Sequence, residues 1–251
     1  MAVPVELDTI SARKKFLQAI RGRPDLWPLV KKLDSGSGTY ADVKKIAEML
    51  GDEVSKYFTE SFDQEVYDRL IREAHSIITM ASETAQTNLN NAARIGLKPL
   101  TKKYPKSAVG TVGKRLGILD PEILAKVGND AISTLLMQMV DDNVRYNADF
   151  QAKAGLQPLI VRVWSGRYPS HDTKHTDWCK DLAGVYEYGT EPPEVYARHE
   201  GCRCTVEYYP NAAAKGNITA LAKGDVDVYA ELWNTNMDTL EKRLKKAGID
   251  Y

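Results

Sequence analysis

From Ile10 to Met139 the apolar positions recur mostly three and four residues apart, the repeat of an α-helix with one buried face. Ile10, Phe16, Leu17 and Ile20 predict a first helix, closed by Gly22 and Pro24. Leu26, Trp27, Leu29, Val30 and Leu33 form a short apolar patch, cut off by Ser35-Gly36-Ser37-Gly38, a linker flexible by composition. Thr39 or Asp42 then caps a helix carrying Val43, Ile46, Ala47 and Leu50. The clearest stripe lies in a long amphipathic helix over 63–95. Tyr67, Ile71, Ala74, Ile78, Ala81 and Ala85 alternate spacings of four and three, Asn88 and Ala92 continue them, and Gly96 is placed to end the helix as its C′ residue. His75 inside it reads as a packed or surface side chain, because no cysteine is near.

Between Arg94 and Leu119 the stripe is lost. Arg94, Lys98, Lys102, Lys103, Lys106, Lys114 and Arg115 follow one another without an acidic residue, interleaved with Gly110, Gly113 and Gly117. The plain reading is a solvated surface loop. The functional one is a nucleic-acid or partner patch, since clustered cations attract a polyanion even on a neutral protein. Asp120-Pro121-Glu122 then announces a helix, with an N-cap, a proline at N1 and an early acid. Leu124, Val127, Ala131, Leu135, Met137 and Met139 make its buried face to about residue 150, and Gly155 and Pro158 stop it.

After Pro158 the period changes from helix to strand. Leu159–Trp164, Gly184–Gly189 and Arg203–Tyr209 are β-branched and aromatic runs bounded by Gly and Pro, with room for a short helix over Thr176–Ala183. Three short strands are a small core to stand alone, and a bound metal is the usual remedy. All three cysteines (Cys179, Cys202, Cys204) and three of the four histidines (His171, His175, His199) lie in this stretch. Cys179 with His199, Cys202 and Cys204 makes a Cys3His set of the kind that closes a structural zinc site. His175, one helical turn before Cys179, is the alternative histidine ligand, and His171 a weaker one. Arg203, between two of the cysteines, is expected to pair with an acid such as Asp172 or Asp177. The plain reading is unliganded thiols and surface histidines.

Composition narrows the remaining classes. The 251 residues carry 34 basic and 34 acidic side chains, so any contact with nucleic acid must come from local patches. No run of about 18 apolar residues exists to span a membrane, and the first residues lack the apolar core of a secretory signal. An odd cysteine count, with two thiols one residue apart, is a poor disulfide framework and points to a reducing compartment.

One family pattern runs through the cysteine-bearing stretch. Val163-Trp164, Asp172-Thr173, Cys179-Lys180-Asp181-Leu182-Ala183-Gly184-Val185, Pro192-Pro193 and His199-Glu200-Gly201-Cys202-Arg203-Cys204-Thr205 stand in order. The series resembles the C-terminal domain of phage head-morphogenesis proteins, the minor capsid family typified by the F protein of phage Mu. It covers roughly 159–209. Many members carry a Cys-x-x-Cys pair before the Leu-x-Gly step; the earlier position here is Thr176, with His175 adjacent. The resemblance implies a non-enzymatic minor head protein of a tailed phage or prophage, assisting head assembly, DNA packaging or ejection. It would sit in the virion, in the head interior or near the portal, and in the host cytoplasm during assembly. Its partners would be portal or major capsid protein, with phage DNA as a further candidate and no membrane.

The expected architecture is α+β: a mainly helical part (1–157) with long amphipathic helices, a small β-rich zinc-stabilised module (158–210) and a helical tail (211–251). Two other functions compete. One is a zinc-dependent hydrolase or nuclease using His171 or His175 beside the ion, with Asp172 or Asp177 as base. The other is a zinc-stabilised nucleic-acid-binding module using the cations from Arg94 to Arg115.

Overall fold

A computed structural model describes residues 9–165 and 175–210, the side chains of 175–177 excepted. His171, Asp172 and the expected helical tail lie outside the described residues. Six helices come first: α1 (Thr9–Arg21), α2 (Leu26–Asp34), α3 (Tyr40–Ser55), α4 (Gln64–Ala92), α5 (Lys106–Gly117) and α6 (Pro121–Lys153). Then follow β1 (Leu159–Val163), α7 (His175–Asp181), β2 (Gly184–Glu187), a 3-10 turn at Pro193–Tyr196, and β3 (Thr205–Tyr209). The fold is a mainly helical α+β one, with an antiparallel sheet of order β2-β1-β3.

The long helices form where the sequence pattern places them. Asp63 caps α4 by accepting from the amides of Glu65 and Val66, and Asp120 caps α6 by accepting from Ile123. Thr39 and Asp42 both cap α3: the Thr39 hydroxyl accepts from Ala41, while the Asp42 carboxylate accepts from the Thr39 amide. Tyr67, Ile71, Ala74, Ile78 and Ala85 of α4 are fully buried. The α3–α6 contact is the most extensive in the bundle. A methyl group added at Gly51 would stand 2.3 Å from the Ser133 hydroxyl oxygen and 2.7 Å from its Cα.

Four local expectations need correction. Ile10 points to solvent, and Ala12 takes its place on the buried face of α1 with Phe16 and Ile20. The patch at 26–33 is a helix, because Pro28 sits in its first turn, where no intrahelical amide is lost. The Ser-Gly linker after it is pinned, with Ser35 and Ser37 both donating to the Lys32 carbonyl and Asn88 donating to Leu33 and Gly38. At the end of α4 the stripe rotates onto Leu89 and Asn90, leaving Ala92 exposed. The left-handed C′ residue is Arg94 (φ 57°) rather than Gly96: Ile95 donates to Asn90 and Arg94 to Asn91, closing a Schellman turn.

The basic stretch also differs from the expected loop. Its second half is α5, helical despite its glycines because Gly113 lets it lie on α4; a Cβ there would meet Gln64 at 2.7 Å and Tyr67 at 2.9 Å. Its first half is extended and bound by asparagine side chains. Asn147 accepts from the Leu100 amide (2.8 Å) and donates to the Leu100 carbonyl (2.7 Å), Asn143 accepts from the Lys102 amide (2.8 Å), and Asn90 donates to the Leu97 carbonyl (2.8 Å). Side-chain amides on α4 and α6 thus do for this segment what a neighbouring strand does in a sheet.

The sheet lies on the helices rather than apart from them. β3 packs against α3 and α6, and Ile160, Val206 and Tyr208 join the same continuous apolar core as Phe16, Leu50 and Ile78. The register pairs Ile160 with Tyr186 and Tyr208, and Arg162 with Gly184 and Val206. Ile160, Arg162 and Trp164 therefore share the inner face of β1, since strand side chains alternate. Ile160 meets the apolar core and Trp164 packs against the cysteines. Among the described residues no helix is long and apolar enough to cross a membrane.

Candidate metal centre

The cysteines and His199, up to 25 residues apart in sequence, meet at one edge of the sheet. Cys179 comes from α7, and His199, Cys202 and Cys204 come from the turn that leads into β3. That turn is a tight knuckle: the Cys202 amide donates to the His199 carbonyl at 3.1 Å, and Gly201 takes the left-handed conformation (φ 74°).

The ligand atoms of Cys179, His199 and Cys202 all lie within 4.8 Å of one another and could hold a metal ion. Cys179 Sγ is 3.0 Å from His199 Nε2 and 3.9 Å from Cys202 Sγ. Thiolates bound at about 2.3 Å around a tetrahedral ion would stand about 3.8 Å apart, so the sulfur spacing fits; the shorter S···N distance is that of a hydrogen bond, which a bound ion would replace. Cys204 is outside that mutually close set, but it is buried in one cluster with Cys179, Cys202 and Trp164. All three thiols are free of disulfides.

The imidazole is pre-set for ligation. His199 Nδ1 lies 2.8 Å from the Glu200 carbonyl; a proton there is donated to that oxygen, and Nε2 is left with its lone pair toward Cys179. His199 is thus the histidine the structure brings to the thiols. His175 stands at the start of α7, one turn before Cys179, and its side chain lies outside the described residues.

The electrostatics favour one thiolate among the sulfurs. The hydrogen bond from Cys179 holds Cys202 far below the ordinary thiol range, and the same bond pushes Cys179 far above it. The bond to Cys202 likewise raises the His199 pKa. A metal ion held there would take the place of those protons.

Two arginines that the sequence did not advertise complete the surroundings. Arg162 is buried, its Nη1 donating to the carbonyls of Val195 and Ala197 and its Nη2 facing Cys179 Sγ (3.9 Å) and Cys202 Sγ (3.8 Å). Its signal was a charged residue at an inward position of an apolar strand, between Ile160 and Trp164. Arg198 grips Asp141 of α6 with two bonds of 2.5 and 2.8 Å, both side chains 1% exposed, and also donates to the Cys204 carbonyl at 2.8 Å. Burial lifts the Asp141 carboxyl, whereas Asp141 and the sulfurs keep Arg198 firmly protonated against its own burial. The bidentate geometry fits an ionised pair, and we take it as one. No sequence spacing reports a partner 57 positions away.

Further contacts anchor the knuckle. Lys44 of α3 donates to the Arg203 carbonyl at 2.6 Å, and Thr134 of α6 accepts from the Gly201 amide at 3.0 Å. Arg203 pairs with Asp130 of α6 (3.1 Å), an acid outside the two that the sequence suggested.

The seven cations of the basic stretch are all exposed. Arg115 reaches the knuckle and pairs with Glu200 at 2.8 Å, and Lys102 lies over the Tyr146 ring. His75 of α4 packs edge-on against Tyr104, away from the thiol cluster in sequence.

Comparison with protein-family models, with curated proteins and with solved structures finds no match for this chain. The centre is therefore defined by its own geometry: a thiol–imidazole cluster, its sulfurs buried, that could hold a metal ion.

Proposed function

We propose that this chain is a minor head protein of a tailed phage or prophage, acting in assembly near the portal, with one structural zinc ion in its C-terminal module. The observation that carries the zinc is the convergence of Cys179, His199 and Cys202 within 4.8 Å, with Cys204 buried in the same cluster as the two other sulfurs. Thiolate-rich sets of this kind close around zinc and leave no position for a substrate, which favours a scaffolding role over turnover. Assignment to the phage head is supported by the ordered pattern from Val163-Trp164 to the His-x-x-Cys-Arg-Cys-Thr knuckle. The zinc would tie α7 to the knuckle, while Cys179, His199, Cys202 and Cys204 supply its donors and the His199 Nδ1 bond keeps the ring in place. The exposed cations from Arg94 to Lys114 are offered to portal protein or packaged DNA.

Two measurements test this. Metal analysis of the purified chain should return one zinc per chain, lost in Cys202→Ser. Co-expression with the portal and major capsid proteins from the same gene cluster should yield a complex that survives gel filtration. A chain that stays apart from both, yet turns over nucleic acid when loaded with metal, would falsify the structural assignment.

A further inference from the structure

Arg162 places a full positive charge beside the thiols, with no carboxylate hydrogen-bonded to it among the described residues. It is 1% exposed. Carbonyls of Val195, Ala197 and, at 3.4 Å, Glu194 receive its Nη1, and Nε has no partner. Carbonyl oxygens take the Nη1 protons without matching the charge, and the carboxylate whose charge Arg162 feels, Asp141, is already paired with Arg198. Arg198 is in a different position, since Asp141 neutralises it. An unmatched charge is rarely kept in a protein interior. The acidic groups that Arg162 touches are the sulfurs of Cys179 and Cys202.

We infer that Arg162 is the counter-charge of the metal centre and thereby sets its ligand count at three thiolates around one divalent ion. This deepens the zinc reading above and rests on it. A divalent ion with three thiolates and a neutral imidazole carries one net negative charge, which Arg162 cancels. With two thiolates the centre is neutral and Arg162 stays unmatched. The third sulfur is Cys204, buried in one cluster with the other two. A monovalent ion in the same set would leave two negative charges against one arginine, so the geometry selects a divalent one. Arg162 is a positioning residue here: it donates toward Cys179 and Cys202 and holds them 3.9 Å apart without ligating.

The full chain loaded with cobalt(II) tests this, because thiolate-to-cobalt charge-transfer absorption grows with each Co–S bond. Three-thiolate intensity with tetrahedral d–d bands is expected, falling by about a third in Cys204→Ser, one thiolate of the three in a closed structural set. In chelator competition Arg162→Met should weaken binding about 10- to 100-fold, the range for residues that support metal ligands, while Arg162→Lys keeps most of the affinity. A two-thiolate spectrum, or an Arg162→Met protein that binds as tightly as the parent, overturns the inference while leaving the metal centre standing. Absence of stoichiometric binding by the parent chain overturns the centre itself. Should Arg162→Met fail to fold, the parent spectrum and Cys204→Ser decide the count.

Discussion

The bundle of α1 to α6 and the strand module are held together by different physics. In the bundle the interior is mostly aliphatic and aromatic, and one helix buries the stripe of another. In the module the interior holds three thiols, a guanidinium and half of an Arg–Asp pair, with Trp164 as the main apolar cover. Apolar contacts are forgiving, because a neighbour can repack. Buried charges are not, because each depends on one partner at one place. The bundle should therefore bend under mutation, and the module should break.

The sharpest way to break the contrast is Asp141→Ala. It leaves Arg198 buried and unpaired, and the expected loss is about 3–5 kcal/mol, read by denaturant unfolding at fixed zinc. A loss no larger than that of an ordinary core truncation would remove the distinction. Within the bundle, Gly51→Ala drives a methyl group into the Ser133 backbone of α6, with an expected cost of about 1–3 kcal/mol by the same assay. Thr39→Ala removes one half of the α3 cap and should cost about 1 kcal/mol, while metal affinity stays at the parent value.

The smallest expected effect is a pH dependence. Burial against Tyr104 lowers the His75 pKa, so the folded protein resists protonation there while the unfolded chain does not. Its contribution is complete above the unfolded value of about 6.5 and declines as pH falls below it. His75→Gln should flatten that part of the stability–pH curve and leave the neutral-pH value nearly unchanged.

The same division governs how much could be read from the chain. The stripes of α4 and α6 were legible because helix burial repeats locally, and Asp63 and Asp120 mark where each begins. α5 was hidden by Gly110, Gly113 and Gly117, which lower helix propensity, although Gly113 is what makes room for α4. Cys179, His199 and Cys202 were legible from donor chemistry alone, since soft ligands crowded into a short stretch have few other uses. Asp141 as the partner of Arg198, and Asp130 as that of Arg203, could not be read, because both contacts exist only after the chain has folded back on α6. Arg162 stood in plain view, but a single inward cation in a strand names no partner.

The asparagine side chains that bind the extended segment have a consequence for α6. Asp141 holds the knuckle and Asn143 holds the segment near Lys102, and two residues along a helix turn about 200° around its axis. The helix is thus gripped on opposed sides by two irregular stretches of chain. It can neither roll nor slide along its length without breaking polar bonds on one flank or the other. A pull applied to the cation-bearing segment by a bound partner would pass through this axle to the knuckle as one rigid displacement.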